Sequence, residues 1–290
     1  MNLLIKKAER QQRKARILLA GPSGAGKTMT ALRLAEGLRG DGKILLFDTE
    51  RGSATLYADK IDFDHADLPN YEFDTYLSAL KQAAAAGYEV VVVDSASHAW
   101  SELLEEHGKM QGNSFANWRK ITPKYDQLVQ AFLTYPGHII VTVRAKMKYE
   151  QDDKKQVKPI GLDPVMKDGF EYEFDLYGMI DIEHHMAIRK TRLEQFADKI
   201  ITRPGEELGR AIRDWLASGK PEPIIEPAEL PDEYVIETNC TQKGKSLSLV
   251  REESPQWLAA VMADLARMGA LTKRDQVNIK AYMANTKEAA

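Results

Sequence analysis

Apolar residues in this chain gather in short unbroken runs. The clearest are Ile17-Leu18-Leu19-Ala20, Ile44-Leu45-Leu46-Phe47, Val90-Val91-Val92-Val93 and Ile139-Ile140-Val141, the last inside a segment His138–Val143. Such runs suit strands of a parallel sheet, buried on both faces by helices. Stretches with helical spacing separate them. Met29, Leu32, Leu34 and Leu38 mark a helix that Gly40-Asp41-Gly42 stops. Further helices are expected over Asp74–Ala86, from about Ala96 to His107, and from Trp118 to Leu133. Phe174–Ile182 and Met186–Arg192 read as strands joined by a turn at Glu183-His184-His185, and a last helix runs from Pro204-Gly205-Glu206-Glu207 to near Ser218-Gly219. Strands alternating with helices predict an α/β fold with a mostly parallel central sheet.

The pattern changes after residue 218. Pro221, Pro223, Pro227 and Pro231 with Glu222, Glu226, Glu229 and Asp232 mark an acidic, proline-rich linker over 219–233. Beyond it, 234–250 suits a small hairpin, and Ser254–Met268 and Thr272–Met283 suit two short helices. The expected organisation is a large domain over 1–218, the linker, and a small, mainly helical C-terminal extension over 234–290. Residues 6–16 carry six cations against the single acid Glu9. They read as a solvated lead-in helix or as a basic arm near phosphates.

The 290 residues carry a formal net charge of −3, so any nucleic-acid binding must come from local patches. One such patch is Arg144–Lys158, with six basic residues against three acidic ones and Tyr149 among them. It reads either as a long mobile loop that binds single strands by charge and stacking, or as a solvated β-hairpin. The single cysteine, Cys240, excludes an intrachain disulfide and a cysteine zinc site and fits a reducing cytosol. No apolar run approaches the roughly 18 residues of a membrane span. Met1–Ile5 is too short for a signal sequence. A cytoplasmic protein without a membrane partner is expected.

The candidate chemistry begins at Gly21-Pro22-Ser23-Gly24-Ala25-Gly26-Lys27-Thr28, which matches G-x-x-x-x-G-K-[ST] at every required position between an expected strand and helix. Backbone N–H groups of such a loop surround a phosphate, and the helix N-terminus adds positive potential. Lys27 is placed to reach the β- and γ-phosphates of ATP, and the Thr28 hydroxyl to hold Mg²⁺. Met29 completes the nucleotide-binding set. Asp94, ending the valine strand, suits the second Mg²⁺ carboxylate, although Asp94 and Ser95 are equally ordinary helix caps. ATP hydrolysis also needs a carboxylate to polarise water. Ser95 follows Asp94, so Glu50, closing Phe47-Asp48-Thr49-Glu50, is the replacement.

The combination of Glu50, Val92-Val93-Asp94-Ser95 and Ile188-Arg189-Lys190-Thr191-Arg192 resembles the RecA-like recombinases, and over roughly residues 13–218 the chain is most similar to the compact RecA-like ATPases of bacteriophages. That resemblance implies a RecA-like P-loop NTPase fold and a single-strand annealing or recombination activity in the host cytoplasm. It implies single-stranded DNA as partner, a ring or filament of identical subunits, and a single-strand-binding protein as a further candidate partner. Lys190 and Arg192 would then complete a neighbouring subunit's ATP site. The DNA-binding segment would correspond to the basic stretch with Arg144, Lys146, Lys148, Tyr149, Lys154 and Lys155. The family's glutamine after the fourth strand is absent, leaving Thr142 and Arg144 as the nearby candidates. A phosphotransferase with a lid at 144–158 and an assembly ATPase without nucleic-acid affinity are the competing readings. Thr272-Lys273-Arg274-Asp275 imitates a guanine-reading T-K-x-D but follows no buried strand.

Overall fold

The computed structural model describes residues 7–151, 157–221, 234–238, 240–263, 269 and 271–288. The chain divides into two compact units, Met1–Pro221 and Glu222–Ala290. Among the described residues no helix is long and apolar enough to cross a membrane.

In the first unit one sheet runs in the order β3-β2-β4-β5-β1-β7-β8-β9. Its strands are β1 (Arg16–Gly21), β2 (Ile44–Asp48), β3 (Asp64–Asp67), β4 (Val90–Asp94), β5 (His138–Gln151), β7 (Leu176–Ile180), β8 (His185–Thr191) and β9 (Ile200–Thr202). From β3 to β7 every pairing is parallel, and β8 and β9 add antiparallel strands at one edge. The unbroken apolar runs explain the layers, because successive side chains point to opposite faces. Leu18, Val91, Val93, Val141 and Val143 pack on one side with α2 (Phe73–Ala85), α3 (Ser97–Lys109) and α4 (Ser114–Thr134). Ile17, Leu19, Leu46, Val92 and Ile140 pack on the other with α1 (Lys27–Leu38) and α5 (Glu206–Ala217). Helices α1 and α5 meet closely at Gly37, where a Cβ would lie 2.2 Å from the Glu206 carbonyl oxygen.

Two expectations are corrected, and one open alternative is decided. The described part of the lead-in, from Lys7, forms no helix. Its backbone pairs with the chain after α5, Gln12 N donating to Lys220 O at 2.8 Å and Lys220 N to Arg10 O at 2.7 Å. Closely spaced cations repel along a helix, and extended backbone lets them diverge. Arg16 turns inward, donating to the carbonyls of Leu133, Tyr135 and Gly137 where α4 gives way to β5. Burial lowers its pKa to about 10.

Of the two readings of the basic stretch, the described part takes the β-hairpin and not the loop. Strand β5 continues through Gln151 and pairs antiparallel with β6 (Val157–Pro164), Lys146 standing opposite Asp163. Lys148 Nζ lies 3.3 Å from Asp163 Oδ1. Cross-strand charge pairing and ladder hydrogen bonds outweigh the solvation a loop would have. Lys154 and Lys155 lie outside the described residues.

In the second unit the expected hairpin reduces, among the described residues, to a single bridge, Val235 to Ser246, and the chain turns into α6 (Leu247–Glu253). Helices α7 (Pro255–Ala263) and α8 (Lys273–Glu288) follow, around Leu247, Val250, Leu258, Val261 and Ile279. Asp275 of the T-K-x-D segment accepts from Tyr234 Oη at 3.0 Å and from the backbone N–H of Glu237 and Thr238 at 2.8 Å each. Its carboxylate is engaged inside its own unit.

Candidate functional site

The site is built at the carboxyl ends of β1 and β4, on the stretch of β5 beside them, and on the turn after β2. Gly26, the residue before α1, has φ +81°, which excludes nearly all side chains and lets Lys27 open the helix directly. Lys27 Nζ donates to the Pro22 carbonyl at 2.9 Å, using one of its three donors. Burial lowers the Lys27 pKa, and Asp94 and Glu50 oppose that shift, so both carboxylates lie within electrostatic reach of the ammonium.

The Thr28 hydroxyl donates to one oxygen of Asp94 and the Thr142 hydroxyl to the other. Asp94 is 5 % exposed. Burial raises its pKa, the two hydroxyls lower it, and Glu50 raises it again. A hydroxyl beside a carboxylate is a hard oxygen donor set that fits Mg²⁺.

Glu50 is itself part of a double tether. The Asp48 carboxylate accepts from the backbone N–H of Glu50 and, at 3.2 Å, from that of Ala54. Glu50 Oε1 lies 3.0 Å from Arg144 Nη2, both side chains being partly exposed. Arg144 is in register with Gly21 at the end of β1, and its backbone N–H donates to Ser97 Oγ at 2.9 Å. Sequence reading thus spread Lys27-Thr28, Asp94, Glu50 and Arg144 over separate elements, and the fold brings them together.

Lys190 and Arg192 are elsewhere. Lys190 pairs with Tyr177 and Thr191 with Leu176, at the amino end of β7, whereas the phosphate loop follows the carboxyl end of β1. Lys190 Nζ donates to the Tyr172 carbonyl, and Arg192 Nε lies 3.1 Å from Asp175 Oδ1. Arg144, Lys146 and Lys148 alternate along β5 and share one face, with Tyr149 exposed after a bulge.

Sequence reading missed three residues. His184, at φ +67°, lays its Nδ1 3.0 Å from the Ala25 carbonyl and so covers the phosphate loop from the β7–β8 turn. Thr49 donates its hydroxyl to the Asp94 carbonyl at 3.0 Å and accepts from Ser95 N at 2.8 Å. With that donor used, His98 Nδ1, 2.6 Å away, must be the protonated nitrogen. Burial, then Arg144, lower the His98 pKa and favour this neutral ring, which stacks on Tyr71 at 4.6 Å. Strand-end position was the signal that could have found Thr49; none marked the two histidines.

A family model described as an AAA domain matches residues 13–206. The chain belongs to this AAA-domain family. It is a P-loop ATPase. Among solved structures the ATPase is similar to the crystal structure of the RadB recombinase, with 17 % identity over 67 % of this chain and 90 % of that one at TM-score 0.41. It is likewise similar to the ATPase domain of G40P, with 13 % identity over 66 % and 85 % at the same TM-score. No curated protein matches it.

Proposed function

We propose that this ATPase acts on single-stranded DNA as a recombinase or annealing enzyme of the compact phage type, hydrolysing ATP at contacts between copies of the chain. Arg144 carries the proposal. It stands beside Gly21 in register, pairs with Glu50, and is the first basic residue of the β5–β6 hairpin. One side chain therefore links a basic hairpin to the carboxylate that would polarise the attacking water.

In this reading the phosphate loop from Gly21 to Thr28 holds the triphosphate of ATP, with Lys27 on its terminal phosphates and Met29 beyond. Thr28 and Asp94 would hold Mg²⁺, which when bound neutralises charge on the β- and γ-phosphates. Glu50 orients water. DNA on the face of Arg144, Lys146 and Lys148, with Tyr149 free to stack, would pull on β5 and change the hold of Arg144 on Glu50. Lys190 and Arg192, remote from the chain's own phosphate loop, would serve a neighbour's in a ring or filament. A single-strand-binding protein is a compatible further partner. The phosphotransferase reading needs a mobile lid, and Arg144–Gln151 is ladder-bonded strand instead.

The deciding measurement is ATPase rate with and without single-stranded DNA across protein concentration. Stimulation by DNA and a rate that rises faster than linearly are expected. Turnover indifferent to DNA at every concentration overturns the proposal.

A further inference from the structure

A second cluster lies where β2 meets the edge strand β3. Asp48 is in register with Asp67, and His65, two residues earlier on β3, is in register with Leu46. The two-residue period puts Asp48, His65 and Asp67 on one face. Their ligand-capable atoms lie within 4.8 Å of one another.

Two observations point to a cation between them. The first is spacing. His65 Nε2 is 3.4 Å from Asp48 Oδ2 and 3.6 Å from Asp67 Oδ1. A proton shared by charged partners draws nitrogen and oxygen to about 2.7–2.9 Å. A tetrahedral ion with ligands at about 2.0–2.2 Å instead separates them by about 3.3–3.6 Å. The second is charge. Asp48 is 2 % exposed, and its hydrogen bonds from Glu50 and Ala54 come from backbone N–H groups, which carry no net charge. Among the described residues its ion-pair partner is His65 alone. A buried carboxylate without a fixed cation is costly.

We propose that Asp48, His65 and Asp67 bind a divalent first-row transition ion, at a site separate from the phosphate loop. One imidazole with two carboxylates suits Zn²⁺ or Co²⁺ better than Mg²⁺. Asp67 is exposed on the edge strand, which gives an ion a way in. Because Asp48 also holds the Glu50 N–H, the ion would stiffen the turn that carries Glu50.

The test is titration of the full chain, stripped with chelator and free of nucleotide, with Co²⁺. One equivalent should bind with the visible absorption of a tetrahedral cobalt site, and Zn²⁺ should displace it. His65→Ala and the exposed-site change Asp67→Asn should each weaken binding at least tenfold. Thr28→Ala, at the phosphate loop, should leave it unchanged. Circular dichroism of the stripped variants checks that they fold. The proposal is overturned by absence of the cobalt bands in the parent chain, or by their survival at full affinity in folded His65→Ala and Asp67→Asn chains.

Discussion

Asp94 is held on both carboxylate oxygens by hydroxyls, Thr28 from α1 and Thr142 from β5. Glu50 is the partly exposed carboxylate, tethered at its backbone N–H by Asp48 and paired through Oε1 with Arg144, on the solvent side of the site. Glu50→Gln should therefore leave ATP affinity within about twofold while lowering kcat by about 10²-fold or more, the scale of a lost general base. Nucleotide binding and single-turnover hydrolysis on the same preparation check this, and an active variant removes Glu50 from the site.

His138 is a different kind of residue-scale feature. It is buried beneath the sheet's amino end, and its Nδ1 accepts from Ala15 N at 2.9 Å. Burial, with Lys14, Arg16 and Arg213 nearby, lowers its pKa from 6.5 to about 3. The unfolded chain thus takes up a proton below about pH 6.5 that the folded chain refuses until about pH 3. That share of stability is complete above pH 6.5 and is lost as pH falls. His138→Asn keeps an acceptor for Ala15 and does not titrate. Denaturant melts of the variant should lose less stability than the parent between pH 6.5 and 4.5, and parallel curves would sink the assignment.

At the scale of elements, the β5–β6 hairpin shows how composition leaves two structures open. A stretch rich in Lys and Asp reads equally as a loop or a hairpin, and only the ladder, with Lys146 opposite Asp163 and Lys148 reaching Asp163 on the diagonal, decides for the hairpin. The pairing partner lies beyond the proline at 159, outside any local window. If the exposed face binds single strands, Lys146→Ala with Lys148→Ala should weaken binding and lower the salt slope by about 1.4, at about 0.7 for each phosphate no longer neutralised. Binding isotherms at several salt concentrations measure that slope, and an unchanged slope excludes this face. Strand β3 was equally invisible. Its sequence Asp64-His65-Ala66-Asp67 is polar, and only its register with β2 makes it a strand.

Taken as a whole, the molecule separates its parts. The phosphate loop, Asp94 and Glu50 gather at one end of the parallel strands, and Lys190 and Arg192 stand at the other. If those cations serve a neighbour, two defective chains should rescue one another. Glu50→Gln supplies intact cations, and Lys190→Ala with Arg192→Ala supplies an intact water-activating site. An equimolar mixture should regain about a quarter of parent ATPase activity if subunits assort at random and interfaces act independently. Each variant alone should remain near background. No gain on mixing after subunit exchange would place the cations outside catalysis.

The sequence by itself determined the layered α/β core and the phosphate loop, because both depend on local rules. Unbroken apolar runs must be buried on two faces, and glycines around a lysine must form a turn that admits an anion. Only the tertiary structure decided which side chains meet. That Thr142 shares Asp94 with Thr28, that Arg144 closes on Glu50, that His184 roofs the loop and that Asp48, His65 and Asp67 converge all follow from strand order and register. Register is a long-range choice, made by the summed packing of both faces, and no short stretch of chain contains it.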